Sequence, residues 1–421
     1  MIPDHSKPVQ DVVITGMGVV SPIGIGVEEY WQALLDGKSG VCIREEYSET
    51  DFPLRIYAPV KDFEGKKFVK PRKAMKIMCR PIQFGFAAAA MAAAQAGIDE
   101  IECDPDRHGT VFGSETFFAD PMEVADVFRK CVTDEHYDHD RWGEFAMREI
   151  QPLWMLKYLP NMVTAHISIA NDARGPCNSI CQGEVSGLLA LIEGAMLIQR
   201  GVCDVVMVGG TGSQTSISSV LYHGQSLLSN RIHEPEKASR PFERDRDGLV
   251  VGEGSAALVL ESKAHAAARN AKVLAGVTGW SRNFALPESS LFGEVFQNNL
   301  KTTLEHSGLK AGDVGHVNAH GSSVPKADVM EATAIHATFG DTPVIAQKSN
   351  FGLLGPAGPI VELIASIQAN QASLLPGTLN YEVPDKACPI NVVCKTKPIN
   401  PGPVVKIAAS ENGQIVSLAV N

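Results

Sequence analysis

Two side chains in this sequence could do acid–base chemistry if the fold brings them together: the carboxylate of Glu184 and the imidazole of His320. Such a pair can take or give a proton near neutral pH. Glu184 stands at the head of a helical pattern, Val185–Arg200. The positive end of a helix favours an ionised carboxylate, so the position predicts a charged Glu184. Thiol chemistry has a weaker candidate in Cys177 and Cys181, a C-x₃-C pair with no second pair of cysteines or histidines at zinc-ligand spacing. The nine cysteines run from Cys42 to Cys394 in no framework spacing and read as free thiols of a reducing compartment. His108, His166 and His316 show no ligand spacing. No metal and no cofactor is expected.

Short β-branched runs alternate with longer helical patterns and would position these groups. The predicted strands are Val12–Ile14, Thr110–Phe112, Asp204–Val208, Ala256–Leu260, Val273–Thr278, His316–Asn318, Pro343–Ile345, Val404–Ala408 and Ile415–Val420. Apolar spacing of three and four predicts helices at Val27–Leu35, Arg80–Ala96, Val185–Arg200, Glu294–Ser307, Asp328–Thr338 and Pro359–Asn370. This alternation implies an α/β architecture with sheets covered on both faces. Gly209–Gly210 and Gly252–Glu253–Gly254 read as tight turns.

A chain of 421 residues can bury a large core and suggests two domains or two fused halves. The charged stretch 233–247 and the small-residue stretch 264–271 place a boundary near residue 265, giving halves 1–265 and 266–421. Segment 114–160, rich in Phe, Trp, Met and charge, reads as an insertion covering a pocket or a dimer face. The net charge of -11 disfavours nucleic acid or an anionic membrane as partner. No apolar run reaches the 18 or so residues of a membrane span. The polar start MIPDHSKPVQ lacks the apolar core of a signal peptide, so a cytoplasmic location is expected.

Four segments carry a resemblance: VVITGMGVVSPIG (12–24); NMVTAHISIANDARGPCNSICQGEVSGLLAL (161–191) with DVVMVGGTGS (204–213); SRPFERDRDGLVVGEGSAALVLES (239–262); and NAHGSSVPKADVMEATA (318–334) with QKSNFGLLGPAG (347–358). Together they resemble the β-ketoacyl-acyl-carrier-protein synthases, the condensing enzymes of fatty acid and polyketide synthesis. The resemblance implies a thiolase-like fold, two similar α/β halves forming a five-layer αβαβα sandwich, usually a homodimer. In that family a cysteine at a helix N-terminus takes the acyl chain as a thioester, and two histidines assist malonyl decarboxylation. The SRPFERDRDG run would be a structural loop near the dimer face, with Arg240, Asp245 and Asp247 pairing internally.

The family spacing GP-x₇-C, counted from Gly175 and Pro176, implies that the nucleophile position is Glu184. Cys177 and Cys181 would lie on the strand leading in, pointing away from the pocket or into the core. His320 matches the first histidine, Glu331 the acid eleven residues later and Lys348 the structural lysine. Leu353 stands where the second histidine is expected and has no proton to donate. Ser322 could replace one pantetheine-binding hydroxyl, while Val324 replaces the other. The loop normally close to SFGFGGTN reads ASENGQIV (409–416) and keeps only Gly413.

Standard elongation through a cysteinyl thioester is therefore expected to fail at its first step. The resemblance implies a non-elongating partner subunit of the chain-length-factor type, in which the cysteine is likewise replaced. The alternative is a repurposed acyl-thioester enzyme (decarboxylase, hydrolase or non-covalent condensing enzyme) using Glu184 and His320. An ordinary elongation enzyme with Cys181 as nucleophile would need the turn to shift by three residues. The implied partners are acyl carrier protein or an acyl-CoA thioester, and a second subunit in a homodimer or in a heterodimer with an intact ketosynthase.

Overall fold

The computed structural model describes residues 10–48, 50–98, 103–117, 119–216 and 223–421. One strand plan is built twice. The first half holds β1 (Val12–Ser21), β2 (His108–Gly113), β3 (Cys177–Ile180), β4 (Val205–Ser213) and β5 (Val251–Ser262), in sheet order β3-β2-β4-β5-β1. The second holds β6 (Ala275–Phe284), β7 (His316–Asn318), β8 (Pro343–Ile345), β9 (Val404–Ala409) and β10 (Gln414–Val420), in order β8-β7-β9-β10-β6. In each half three strands run parallel, and the remaining pairings are antiparallel. The halves join where Val12–Ile14 of β1 pairs with Ala275–Val277 of β6.

Helices fill three layers. The outer faces carry α1 (Arg80–Ala96) and α2 (Met162–Ala170) on one side, and α4 (Phe292–Ser307) and α5 (Pro325–Phe339) on the other. Between the sheets lie α3 (Ser186–Gln199) and α6 (Gly358–Ala372), which touch each other and both sheets. Both are apolar and buried nearly all round, as a middle layer requires. This is the five-layer αβαβα arrangement. Among the described residues no helix is long and apolar enough to cross a membrane.

The glycine pairs correct the turn reading. Gly209 and Gly210 lie inside β4, and Gly252–Gly254 inside β5. Their role is close approach: a Cβ on Gly209 would meet the Ala256 carbonyl oxygen at 2.3 Å, and one on Gly210 the Pro356 carbonyl oxygen at 2.1 Å. Cys177–Ile180, absent from the predicted strands, pairs with β2 as the sheet edge. Segment 114–160 forms two short helices (Ala125–Lys130, Trp142–Glu149) and a small hairpin, and its Phe117, Asp120, Pro121 and Met122 line a separate surface pocket. In the 239–248 run, Arg240 pairs with Glu243 and Asp245 with Arg244, while Asp247 accepts hydrogen bonds from Ser229 and Asn230.

Candidate active site

The turn from β3 into α3 passes through Gly183, which has φ 63, and delivers Glu184 just before the helix. Ser186 locks the turn: its hydroxyl donates to the Gly183 carbonyl at 2.7 Å and accepts from the Gln182 N–H at 2.7 Å. Glu184 is buried and lines a cavity of about 260 Å³ together with His320. The cavity walls are largely apolar, built by Leu227, Leu249, Phe292, Phe296, Met330 and Leu353. Burial opposes the ionised Glu184 expected from its place before the helix. Burial, and then the charge of Glu411, raise its pKa, outweighing its own N–H, His223 and Lys348.

Behind His320, a cationic and closed cluster backs one side of this cavity. Lys348 is buried and donates to the His320 carbonyl at 2.8 Å and to Glu362 Oε1 at 2.7 Å. Lys406, also buried, pairs with the other oxygen of Glu362 and donates to the Ala319 carbonyl at 3.0 Å. Burial pulls Lys406 down to about 8. The His320 imidazole lies with Nδ1 3.4 Å from Lys348 Nζ. Burial and both lysines push its pKa well below the usual value, so it is neutral with Nε2 as the protonated nitrogen. Glu331 holds the backbone of this loop rather than the ring: Oε1 accepts from the His320 N–H at 2.6 Å and Oε2 from the Gly321 N–H at 2.8 Å. Burial raises Glu331 to about 7.

The other side is rich in carboxylates. Glu411 projects from the β9–β10 turn, and its Oε1 lies 3.0 Å from His223 Nδ1. His223 Nε2 lies 2.8 Å from Gln214 Oε1, and the Gln214 amide nitrogen donates to Glu115. Glu115 also accepts from the Ser213 N–H, yet burial raises it to about 8. For His223, burial works against the charged ring, but the bond to Glu411 and the nearby carboxylates prevail and raise its pKa.

Glu184 and His320 thus share one cavity, but no hydrogen bond joins them among the described residues. Leu353 packs with Leu54, Leu228, Leu249 and Val251 and presents no polar group. Ser322 lines the cavity, with its hydroxyl donating to Asp328 at 3.2 Å and accepting from the Val324 N–H at 3.2 Å. Gly413 does not line it. With φ 93, and a Cβ that would meet the Ala285 carbonyl oxygen at 1.9 Å, Gly413 serves the turn that carries Glu411, and its N–H donates to Ser410. Cys177 and Cys181 point neither into the core nor into this cavity: both are exposed.

Sequence reasoning missed Glu362, Lys406, Glu115, His223 and Glu411 as site residues. Two had a visible signal, since Lys406 interrupts the apolar run VVKIAA and Glu362 the apolar helix GPIVELIASI. A lone charge in a buried pattern asks for a partner. His223 and Glu411, 188 residues apart, offer no spacing that links them.

Comparison with known proteins follows the same lines. Residues 9–266 match the β-ketoacyl synthase N-terminal domain and residues 284–382 its C-terminal domain. The chain is 34% identical over 391 residues to a 3-oxoacyl-[acyl-carrier-protein] synthase 2 of Coxiella burnetii, covering 91% of each. It is similar in structure to a β-ketoacyl synthase from Burkholderia phymatum (TM-score 0.87, 26% identity, 98% of this chain and 99% of that one). It also shares the fold of the ishigamide ketosynthase/chain length factor (TM-score 0.85, 24% identity, 98% and 99% covered).

Proposed function

The chain belongs to the β-ketoacyl synthase family, and from that premise we propose that it is a non-elongating member, a partner subunit of the chain-length-factor type. One observation carries the reading: among the described residues the cavity is lined by the carboxyl of Glu184 and by no thiol. A carboxyl can hold a proton but is a poor carrier for an acyl group at the thioester level. The loss of a proton donor at Leu353 points the same way. The apolar walls would hold an acyl chain delivered by an acyl carrier protein and elongated on an intact ketosynthase, in a heterodimer.

Intact-mass analysis after incubation with acyl- and malonyl-carrier protein tests this. The expected result is no covalent adduct, together with co-purification of an intact ketosynthase when the two are co-expressed. An acyl adduct on the chain would overturn it.

A second reading is favoured by one feature. Glu184, which burial inclines to keep its proton, and the neutral His320 share a cavity as a potential acid and base. Release of carbon dioxide from malonyl-carrier protein without an adduct, abolished in Glu184→Gln and His320→Ala, would select that reading.

A further inference from the structure

We propose that Glu184, His223 and Glu411 form a binding site for one divalent first-row metal ion, opening onto the acyl cavity. One ligand atom from each residue lies within 4.8 Å of the others. Bonds of about 2.0–2.2 Å to nitrogen and oxygen put neighbouring ligand atoms roughly 3 Å apart and opposite ones about 4.2 Å apart. The 3.0 Å spacing of His223 Nδ1 and Glu411 Oε1 fits a neighbouring pair. The remaining contraction of a few tenths of an ångström falls within the reach of Glu411, whose side chain is one-third exposed.

Three further observations point to a cation. First, Glu184 is 96% buried (4% exposed) and lines the cavity, and among the described residues only its own N–H donates to its carboxyl. A buried carboxyl with one donor keeps lone pairs that a cation can take up. Second, His223 is oriented for ligation. Glu115 accepts from the Gln214 amide nitrogen, which turns the Gln214 oxygen toward His223 Nε2 at 2.8 Å. Nε2 then faces an acceptor, and Nδ1 is the ring nitrogen turned toward Glu411, where a metal ion would take the place of the proton they share. Metal-bound histidines commonly donate their other N–H to an oxygen in this way. Third, the carboxyl groups of Glu115, Glu184 and Glu411 all lie close to one imidazole, and carboxyl oxygen with imidazole nitrogen is a donor set for a divalent first-row ion.

The donor set of one imidazole and two carboxylates suits Zn²⁺ or Mn²⁺. Glu184 and Glu411 line the cavity, so the open coordination positions would face any acyl carbonyl bound there. The ion would be held by a loop that has lost the family's glycine- and phenylalanine-rich pattern and gained Glu411.

Calorimetric titration of the chelator-treated full chain with ZnCl₂ and with MnCl₂ decides the matter. The expected result is one ion per chain with at least one metal, at micromolar affinity or tighter. Glu411→Gln and His223→Gln should each weaken binding at least 100-fold, and Gln214→Leu about 10- to 100-fold through the orientation of the ring. Glu411 lies on a partly exposed turn, so its variant should fold even where the His223 variant does not; circular dichroism checks both. Absence of stoichiometric binding with both metals, or wild-type affinity in the folded ligand variants, would overturn the proposal. Titration reads the ion and mass analysis reads the adduct, so this site can fail while the non-elongating reading stands.

Discussion

The two sides of the cavity handle buried charge in opposite ways. Around His320, two buried ammonium groups share the two oxygens of Glu362, and every remaining proton is directed at a backbone carbonyl, Asn318 or the His320 ring. Around Glu184, two carboxyl groups meet one imidazole, with a third, Glu115, reaching it through Gln214, and the turn that carries Glu411 departs from the family's loop. The first side is a closed account of donors and acceptors. The second holds an excess of acceptors. A fold can keep its structural charge pairs while the residues that touch substrate are exchanged, because the two sets rest on different elements: α6 and β9 for the lysine–glutamate cluster, the β3–α3 and β9–β10 turns for the carboxylates.

The largest effect should come from opening the closed side. Glu362→Leu leaves Lys348 and Lys406 buried without a counter-ion, and removing one partner of a buried pair costs about 3–5 kcal/mol. Urea unfolding should show that loss, or the variant should be insoluble. Combining Glu362→Gln with Lys406→Met should recover at least half of it, since one uncompensated ammonium is then gone. A Glu362→Leu variant as stable as the wild type would erase the distinction between the two sides.

The fold was largely legible in the sequence because its signals are local. Arg80–Ala96 and Val27–Leu35 are found where the apolar spacing puts them, and His316–Asn318 and Pro343–Ile345 are strands to the residue. The glycines of β4 and β5 misled because a glycine needed for backbone approach looks, in one dimension, like a glycine needed for a turn. At the site, Glu184 and His320 were legible through the motifs around them, and both reach the cavity. The upward pKa shift of Glu184 was not. A helix dipole offers a fraction of a charge, whereas burial depends on what covers the turn, and here that cover includes Glu411 from the far end of the chain.

A second test uses pH. Glu115 has a folded pKa of about 8 against an unfolded value near 4.5. The folded chain then holds a proton that the unfolded chain has released between those values, so its stability is full below about pH 4.5 and falls as pH rises toward 8. Glu115→Gln removes this proton and should flatten the decline. With chelator present, the difference between unfolding free energies at pH 5.5 and pH 8 should shrink by about 3 kcal/mol. If the slope is unchanged, Glu115 is ionised throughout, and the carboxylate side is better compensated than its geometry indicates.

The smallest effect concerns Glu184 itself and has the opposite sign to that of Glu362. Burial and Glu411 both disfavour its charge, so a neutral side chain of the same shape should relieve the site. Glu184→Gln should raise stability at pH 8 in chelator, and raise it less as the pH falls, because the neutral amide relieves only the charged form of the carboxyl. Urea midpoints at pH 8 and pH 5 measure this, with Glu362→Gln as the counterpart expected to lose stability. A loss in Glu184→Gln at both values would mean that its carboxylate is a partner in a satisfied network like that of Glu362. The excess of acceptors, from which both the altered chemistry and the cation site are argued, would then not exist.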